Sequence, residues 1–452
     1  MATTMAALRD RVHALMPHAR SDLAELVACK SVADPRQFPA SECLRAAQLV
    51  IDKFTAAGMQ DVHLEDTPDG HPAVYGHIPA PAGAPTVLLY CHYDVQPPLD
   101  PTGKAWRSPP FELTERDGRW YGRGASDCKG NIVAHLTALR ALGDARRVGV
   151  KLIAEGSEEQ GTGGLEQFVP EHADLLDADA IIVADTGNFA LGVPTFTTTL
   201  RGMVNVVVQV RALDSAMHSG MFGGAAPDAL LALIRMLATL RDAQGDTTIE
   251  GLQGEGSWSG IDYPAEMFRA DAHVLDGVHV IGSGRPQDML WARPAVTVLG
   301  MDCPPVVGSA AAVPPEARAR INLRIPPGIT ATEGRDALVA QLRNAAPWNV
   351  EVEVEVEADG EPFTAGTGGP AYAAMGAALG EAFGRPPTTE GQGGSIPLCN
   401  VLHATYPDAE IMMIGVEEPR CLIHAPNESV DPAELERIAL SEALFLRSYG
   451  PR

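Results

Sequence analysis

The chain has 452 residues, 45% of them hydrophobic, enough for a large core and for two or three domains. Lys and Arg total 34 against 58 Asp and Glu, a formal net charge of −24, which argues against nucleic acid and anionic membrane as partners. Charges interrupt the apolar stretch of residues 1–20, so no signal peptide is expected, and no apolar run reaches the ~18 residues of a membrane span. Seven scattered cysteines without a CxxC pair suggest a reduced, cytoplasmic protein.

In chain order, residues 5–30 and 41–58 carry apolar residues at helical spacing. "APTVLLYC" (84–91) is a continuous apolar run, the pattern of a strand buried on both faces. "GNIVAHLTALRAL" (130–142) is an amphipathic helix, and "VGVKLIAE" (148–155) and "ADAIIVAD" (178–185) are further strands. Alternating strands and helices predict an α/β domain with a mixed, mostly parallel sheet covered by helices. From about residue 197 the texture changes to strand (203–213), helix (226–240), strand (293–301), strand (316–326), helix (332–345) and strand (349–358). That βαββαβ order predicts a ferredoxin-like α+β unit, interrupted by a Gly- and Asp-rich insertion at about 245–292. A Gly/Pro-rich connection (359–370) leads to a helix (371–383), a strand (409–416) and a final helix (432–448). The expected organisation is a discontinuous α/β domain, 1–196 and 361–452, with an inserted α+β domain at 197–360.

Chemistry collects at strand ends. "LLYC" runs into His92-Tyr93-Asp94, "LIAE" towards the adjacent pair Glu158-Glu159, and "IIVA" into Asp185. In open α/β sheets, ligands bind beyond the carboxyl ends of the strands. Asp127 lies in the glycine-rich "GRGASDCKGN" before a helix, and His424 follows the last strand in "CLIHAPNE". Each alone reads as a hydrogen-bonding residue, a helix cap or a solvated loop; together they suit two divalent cations. A carboxylate can bridge two such ions. Asp94, two residues beyond His92, can accept its second ring proton and orient the ring. A Glu-Glu pair facing cations can divide two roles, ligand and base, and the residues themselves leave open which does which.

The chain resembles the two-zinc peptidases and deacylases that include carnosinase, aminoacylase and the bacterial glutamate carboxypeptidases. The matching motifs are "CHYDV" (91–95), "GRGASDCKG" (122–130), "EGSEEQGTGG" (155–164), "DTG" (185–187), "MHSG" (217–220) and "IHAPNE" (423–428). The long insertion looks most like the carnosinase-like dipeptidase branch. The resemblance implies that Asp127 bridges two metals, most simply zinc, with manganese or cobalt as alternatives. His92 and Asp185 would complete one site, Glu159 and His424 the other. Glu158 would be the general base that takes a proton from a metal-bridging hydroxide's parent water as it attacks the scissile carbonyl. His218 would stabilise the oxyanion, in this family often from the partner subunit of a homodimer formed through the inserted lid domain. Arg324, just before Pro326-Pro327, stands where the family binds the substrate carboxylate, a match for a guanidinium fork. Gly394 and Ser395 in "GQGGSIP" (391–397) resemble the family's substrate loop. A cis peptide is expected at Asp127–Cys128.

Two departures stand out. Cys128 replaces the family's usual Asp or Met and reads as a small buried thiol. Ala311, in "MDCPPVVGSAAAVP" (301–314), cannot donate the hydroxyl contact expected there. The expected function is metal-dependent hydrolysis of dipeptides or short peptides with a free C-terminal carboxylate. The alternatives are an N-acyl- or N-carbamoyl-amino acid amidohydrolase and, more remotely, a non-catalytic binding protein on the same fold, which predicts lost ligands.

Overall fold

The computed structural model describes residues 5–252 and 254–450. Helices α1 (Met5–Val27) and α2 (Ala40–Ala56) open the chain. Strands β1 (Gln60–Glu65), β2 (Ala73–Ile78) and β3 (Thr86–His92) follow, then the hairpin β4 (Thr114–Arg116) and β5 (Arg119–Tyr121). Next come α3 (Lys129–Leu142), β6 (Gly149–Glu155), α4 (Gly164–Glu171), α5 (Ala173–Leu176), β7 (Ala180–Val183) and β8 (Thr195–Leu200). The middle of the chain holds β9 (Gly202–Arg211), β10 (Met217–His218), α6 (Ser219–Phe222), α7 (Ala229–Ala238), α8 (Ala265–Asp271), β11 (Ala295–Asp302), β12 (Ala312–Val313), β13 (Glu316–Ile325), α9 (Ala331–Asn344), β14 (Glu351–Gly360) and β15 (Phe363–Thr364). The last part is α10 (Pro370–Phe383), β16 (Thr388–Gln392), α11 (Pro397–Thr405), β17 (Glu410–Met413), β18 (Ser429–Val430) and α12 (Pro432–Ser448). Contacts divide the chain into two compact units. One comprises the residues up to Thr198, Ala365–Glu390 and those from Leu398 onward; the other comprises Thr199–Thr364 and Gly391–Pro397.

In the first unit the sheet runs β1-β2-β6-β3-β7-β17-β8. Its centre, β6-β3-β7-β17, is parallel, and the flanking pairs are antiparallel. This is the mixed, mostly parallel sheet expected. Val87, Leu88, Leu89, Tyr90 and Cys91 of β3 have no solvent exposure, as an apolar run between two covered faces requires. Helices α1, α3 and α12 pack on one another. Strand β1 escaped the sequence reading for a physical reason. It is an edge strand whose residues are exposed or half-buried, so "QDVHLE" carries no apolar run.

The second unit has an antiparallel sheet in the order β11-β13-β9-β14, the ferredoxin-like order. Val204, Val206, Val208 and Val210 of β9 point inward and are fully buried, with Leu233, Met236, Leu338 and Leu342 of α7 and α9 in the same core. The described residues of the insertion at 245–292 are irregular apart from α8 and one π-helical turn, Asp288–Ala292. Trp291 lies 5.3 Å from Trp258 and 5.9 Å from Tyr263 between ring centres, giving the insertion a small aromatic core.

Candidate metal centre

Four neighbouring parallel strands deliver acids or histidines from their carboxyl ends. Strand β3 ends on His92; β6 leads into the turn Glu158–Gln160; β7 leads into Asp185; β17 leads into Glu417. Asp127 precedes α3, and the Asp127–Cys128 peptide is cis. His424 reaches the same place in a left-handed conformation, φ 60°. "DTG" needs its glycine: a Cβ on Gly187 would lie 2.1 Å from the Glu417 carbonyl oxygen. That close approach seats the Asp185 and Glu417 loops together.

His92 is fully buried, and its Nε2 lies 3.0 Å from Asp127 Oδ1 and 3.0 Å from Asp185 Oδ1. His424 Nε2 lies 2.9 Å from Asp127 Oδ2 and 3.2 Å from Glu159 Oε2. Asp127 therefore offers one oxygen to each histidine. Three sets of side chains bring potential ligand atoms within 4.8 Å of one another: His92, Cys128 and Asp185; Asp127, Glu159 and His424; Asp127, Asp185 and Glu417. Glu158 belongs to none of them. Glu417, buried, is a member that the sequence reading missed. A signal was present, an acid pair shortly after an apolar strand, the same logic that singled out Glu158-Glu159.

The electrostatics are those of a cluster short of positive charge. Burial, then Asp127, pushes the Glu159 carboxyl up to about 7. Burial and Asp185 lift Glu158 well above the usual range, and burial and Asp127 do the same to Glu417. Asp185 is lifted by burial. Burial opposes Asp127 too, but hydrogen bonds from His424 and His92 outweigh it and hold that carboxyl below the usual range. Hydrogen bonds to Asp127 and Glu159 raise His424 to about 11. Burial works against a charged His92, and the neighbouring acids overcome it. Apart from Asp127, these acids and both imidazoles are thus shifted towards keeping a proton, as groups crowded around too little positive charge are, and their oxygen and nitrogen donors fit divalent transition metals. Cys128 is a buried thiol raised to about 12 by burial, its Sγ donating to the Ala184 carbonyl at 2.9 Å.

Three acids behind the cluster hold its loops. Asp94 sits with Oδ1 3.3 Å from His92 Nδ1, while the His92 ring also meets the Asp94 carbonyl at 3.2 Å. The Asp94 carboxylate also accepts the backbone N–H groups of Glu158 (3.2 Å) and Glu159 (3.0 Å). It therefore joins the histidine to the glutamate turn, a link that the H-x-D spacing alone did not reveal. Asp69 accepts from Ser157 Oγ (2.6 Å) and Thr162 Oγ1 (2.5 Å), bracing that turn from both ends. Glu428, fully buried, accepts from Arg123 Nη1 (2.7 Å) and from the backbone of Gly124 (3.0 Å), Ser126 (3.0 Å) and Asp127 (3.1 Å).

The other candidates lie in the second unit. His218, exposed on β10, accepts the Gly220 N–H at Nδ1, and Ser219 N donates to the Ala311 carbonyl. Arg318 and Arg320 pair with Asp302 (2.5 Å) and Glu357 (2.6 Å). Arg324 differs: its Nη1 donates to Ser395 Oγ at 3.1 Å, and Ser395 Oγ donates to the Arg201 carbonyl at 2.5 Å. A Cβ on Gly394 would meet nothing within 4 Å, so the loop is open at that position.

Comparison with known proteins gives this arrangement its family. The model of peptidase family M20/M25/M40 matches residues 88–447. A cysteinylglycine-S-conjugate dipeptidase of Corynebacterium striatum is 45% identical over 412 residues, covering 90% of both chains. A Beta-Ala-His dipeptidase of Rattus norvegicus is 27% identical over 86% of this chain and 84% of its own. Human carnosine dipeptidase 1 shares the fold, with a TM-score of 0.82 over 98% of each chain at 23% identity. An M20 family metallo-carboxypeptidase from Sulfolobus solfataricus reaches 0.79 at 25% identity over 94% of this chain and 98% of its own. These likenesses bear out the resemblance drawn from the motifs: the chain belongs to peptidase family M20/M25/M40.

Proposed function

We propose that this chain is a metal-dependent dipeptidase acting on dipeptides or short peptides with a free C-terminal carboxylate. The observation that carries the reading is Asp127, whose two oxygens each face a different histidine. That is how a carboxylate shared by two ions is placed. His92, Asp127 and Asp185 would hold one ion, and Asp127, Glu159 and His424 the other. Zinc suits these donors, as do manganese and cobalt. Bound there, the ions would lower the pKa of a shared water and polarise the scissile carbonyl.

The chain's own groups do the rest. Glu158, outside every converging set and lifted by burial, would take the proton of the attacking water and deliver it to the leaving amine. Asp94 holds the glutamate turn and the His92 ring in register. Arg324, with Gly394 and Ser395 beside it, would receive the substrate carboxylate. His218, exposed, would stabilise the oxyanion from the partner subunit of a homodimer formed through the inserted unit. A cytoplasmic location agrees with seven cysteines that are all free thiols. No helix among the described residues is long and apolar enough to cross a membrane. Two relatives named as dipeptidases favour a dipeptide over an N-acyl amino acid.

The test is a hydrolysis panel of dipeptides, N-acyl amino acids and γ-glutamyl compounds, with zinc or manganese supplied and with both removed. Dipeptides should be cleaved fastest, and only with metal present. Faster release of acyl groups would replace this reading with the deacylase one. Less than one divalent ion per chain after repletion would favour a non-catalytic protein.

A further inference from the structure

Arg201 lies between β8 and β9 and is 8% exposed. Its Nε and Nη1 are buried and have no hydrogen-bond partner among the described residues. Other buried arginines are paired: Arg119 with Glu418 at 2.6 Å and Arg123 with Glu428 at 2.7 Å. Arg201 has no such acid among the described residues. Burial draws its pKa down to about 10, and the charge acting alongside among the described residues is another cation, Arg324. It therefore remains protonated at neutral pH. Arg324 likewise has no carboxylate in the described structure, only the Ser395 hydroxyl.

Both arginines meet the glycine-rich loop at 393–395. A Cβ on Gly393 would lie 2.7 Å from Arg201 Nη2, so the bare glycine leaves room for that guanidinium. Ser395 links the two residues, donating to the Arg201 carbonyl and accepting from Arg324. Two neighbouring cations, one nearly buried and neither neutralised, are unfavourable unless an anion joins them. Buried donors left without partners point the same way.

We propose that Arg201 and Arg324 form one anion subsite for the substrate's terminal carboxylate. Arg201 is the buried half, which makes the site demand a carboxylate in place of a carboxamide. This rests on the dipeptidase reading for the identity of the anion. The chemistry follows from the guanidinium: against a carboxylate its donors are charge-assisted, whereas a carboxamide brings no charge and places its own N–H groups against them.

The test compares alanylglycine with alanylglycinamide on the metal-loaded full chain, in wild type, Arg201→Gln, Arg324→Gln and Gly393→Ala. Arg201→Gln should raise KM for the acid roughly 10- to 100-fold, the span of one charged hydrogen-bonding contact, and leave the amide nearly unchanged. Gly393→Ala keeps the guanidinium but displaces its Nη2, so a smaller shift in the same direction is expected. It decides the matter should Arg201→Gln fail to fold. A second arm reads binding without turnover: N-acetylglycine should raise the melting temperature of wild type more than N-acetylglycinamide does, and Arg201→Gln should erase the difference. A folded Arg201→Gln with wild-type acid preference, beside an Arg324→Gln that has lost it, overturns the role of Arg201 alone. Absence of dipeptide hydrolysis with carboxylate-specific binding intact would sink the dipeptidase reading and leave the anion subsite standing. Absence of both removes both.

Discussion

Replacing Glu428 by glutamine tests how the Asp127 loop is held. The side chain keeps its size and loses one acceptor oxygen. Burial lifts the Glu428 carboxyl, yet all four neighbours are donors: Arg123 Nη1 and the N–H groups of Gly124, Ser126 and Asp127. A protonated oxygen would set a hydrogen against one of them, so the ionised form fits. In Glu428→Gln the amide oxygen can satisfy one side, and the amide NH2 faces two donors on the other. Each buried donor left unsatisfied costs about 1–3 kcal/mol. In either orientation the neutral amide leaves Arg123 without its charge partner, and the Arg123 Nε is already unpartnered among the described residues. Breaking a buried ion pair costs about 3–5 kcal/mol, a figure that overlaps the first. The expected loss is about 3–5 kcal/mol for the first unit, a large share of the ~5–15 kcal/mol typical of a domain. Because Glu428 anchors the Asp127 N–H and its neighbours Gly124 and Ser126, losing either side loosens the Asp127 loop, and metal affinity should fall as well. Urea unfolding followed by far-UV circular dichroism, in chelator and in zinc, measures the first effect, and competition with a chromophoric chelator the second. A Glu428→Gln protein within about 0.5 kcal/mol of wild type, binding metal equally well, would refute the reasoning.

The remaining predictions concern the glutamate turn and the second unit. Glu158→Gln should keep wild-type metal content by elemental analysis and lower kcat by about 10²–10⁴-fold, the usual contribution of a general base. Glu159→Ala should instead lose metal, and unchanged occupancy would mean that the two roles are reversed. Burial works against an ionised Asp69, but hydrogen bonds from Ser157, Thr162 and Thr67 outweigh it and hold its carboxyl down to about 2, below the usual carboxylate range. A depressed folded pKa stabilises above the unfolded value, and the contribution is lost as pH falls from about 4 towards 2. Asp69→Asn should therefore be less stable at neutral pH, with a flatter acid limb between pH 5 and 2; an unchanged acid limb would contradict this. His218→Ala and Glu158→Gln subunits, each inactive, should recover activity when mixed into heterodimers. Verified heterodimers without activity would place His218 in its own subunit's site.

The candidate site was legible wherever a potential ligand sits just past an apolar run, because burial on both faces of a parallel strand leaves a continuous hydrophobic signature. His92, the Glu158-Glu159 pair and Asp185 were found that way. Glu417 was not, although its strand was recognised. Its relevance depends on β17 lying beside β7, and strand order is a non-local property. Glu428 is in the same position: about three hundred residues separate it from the N–H groups it accepts. Arg201 is the opposite case. Nothing in "TLRGM" distinguishes it from a surface arginine, and only its burial without a partner sets it apart.

By itself the sequence determined the layers, the βαββαβ order of the inserted unit, the family and the donor types, since periodicity, composition and motif spacing are local properties. The tertiary structure alone decided which oxygen of Asp127 meets which histidine, that Glu159 rather than Glu158 converges with His424, and which arginines lack an acid. Those are distances between residues far apart in the chain, set by how strands order and loops close, and neighbouring residues in the sequence carry no record of them. The two glutamates have the same chemistry and adjacent places, and the turn that follows β6 is what separates them.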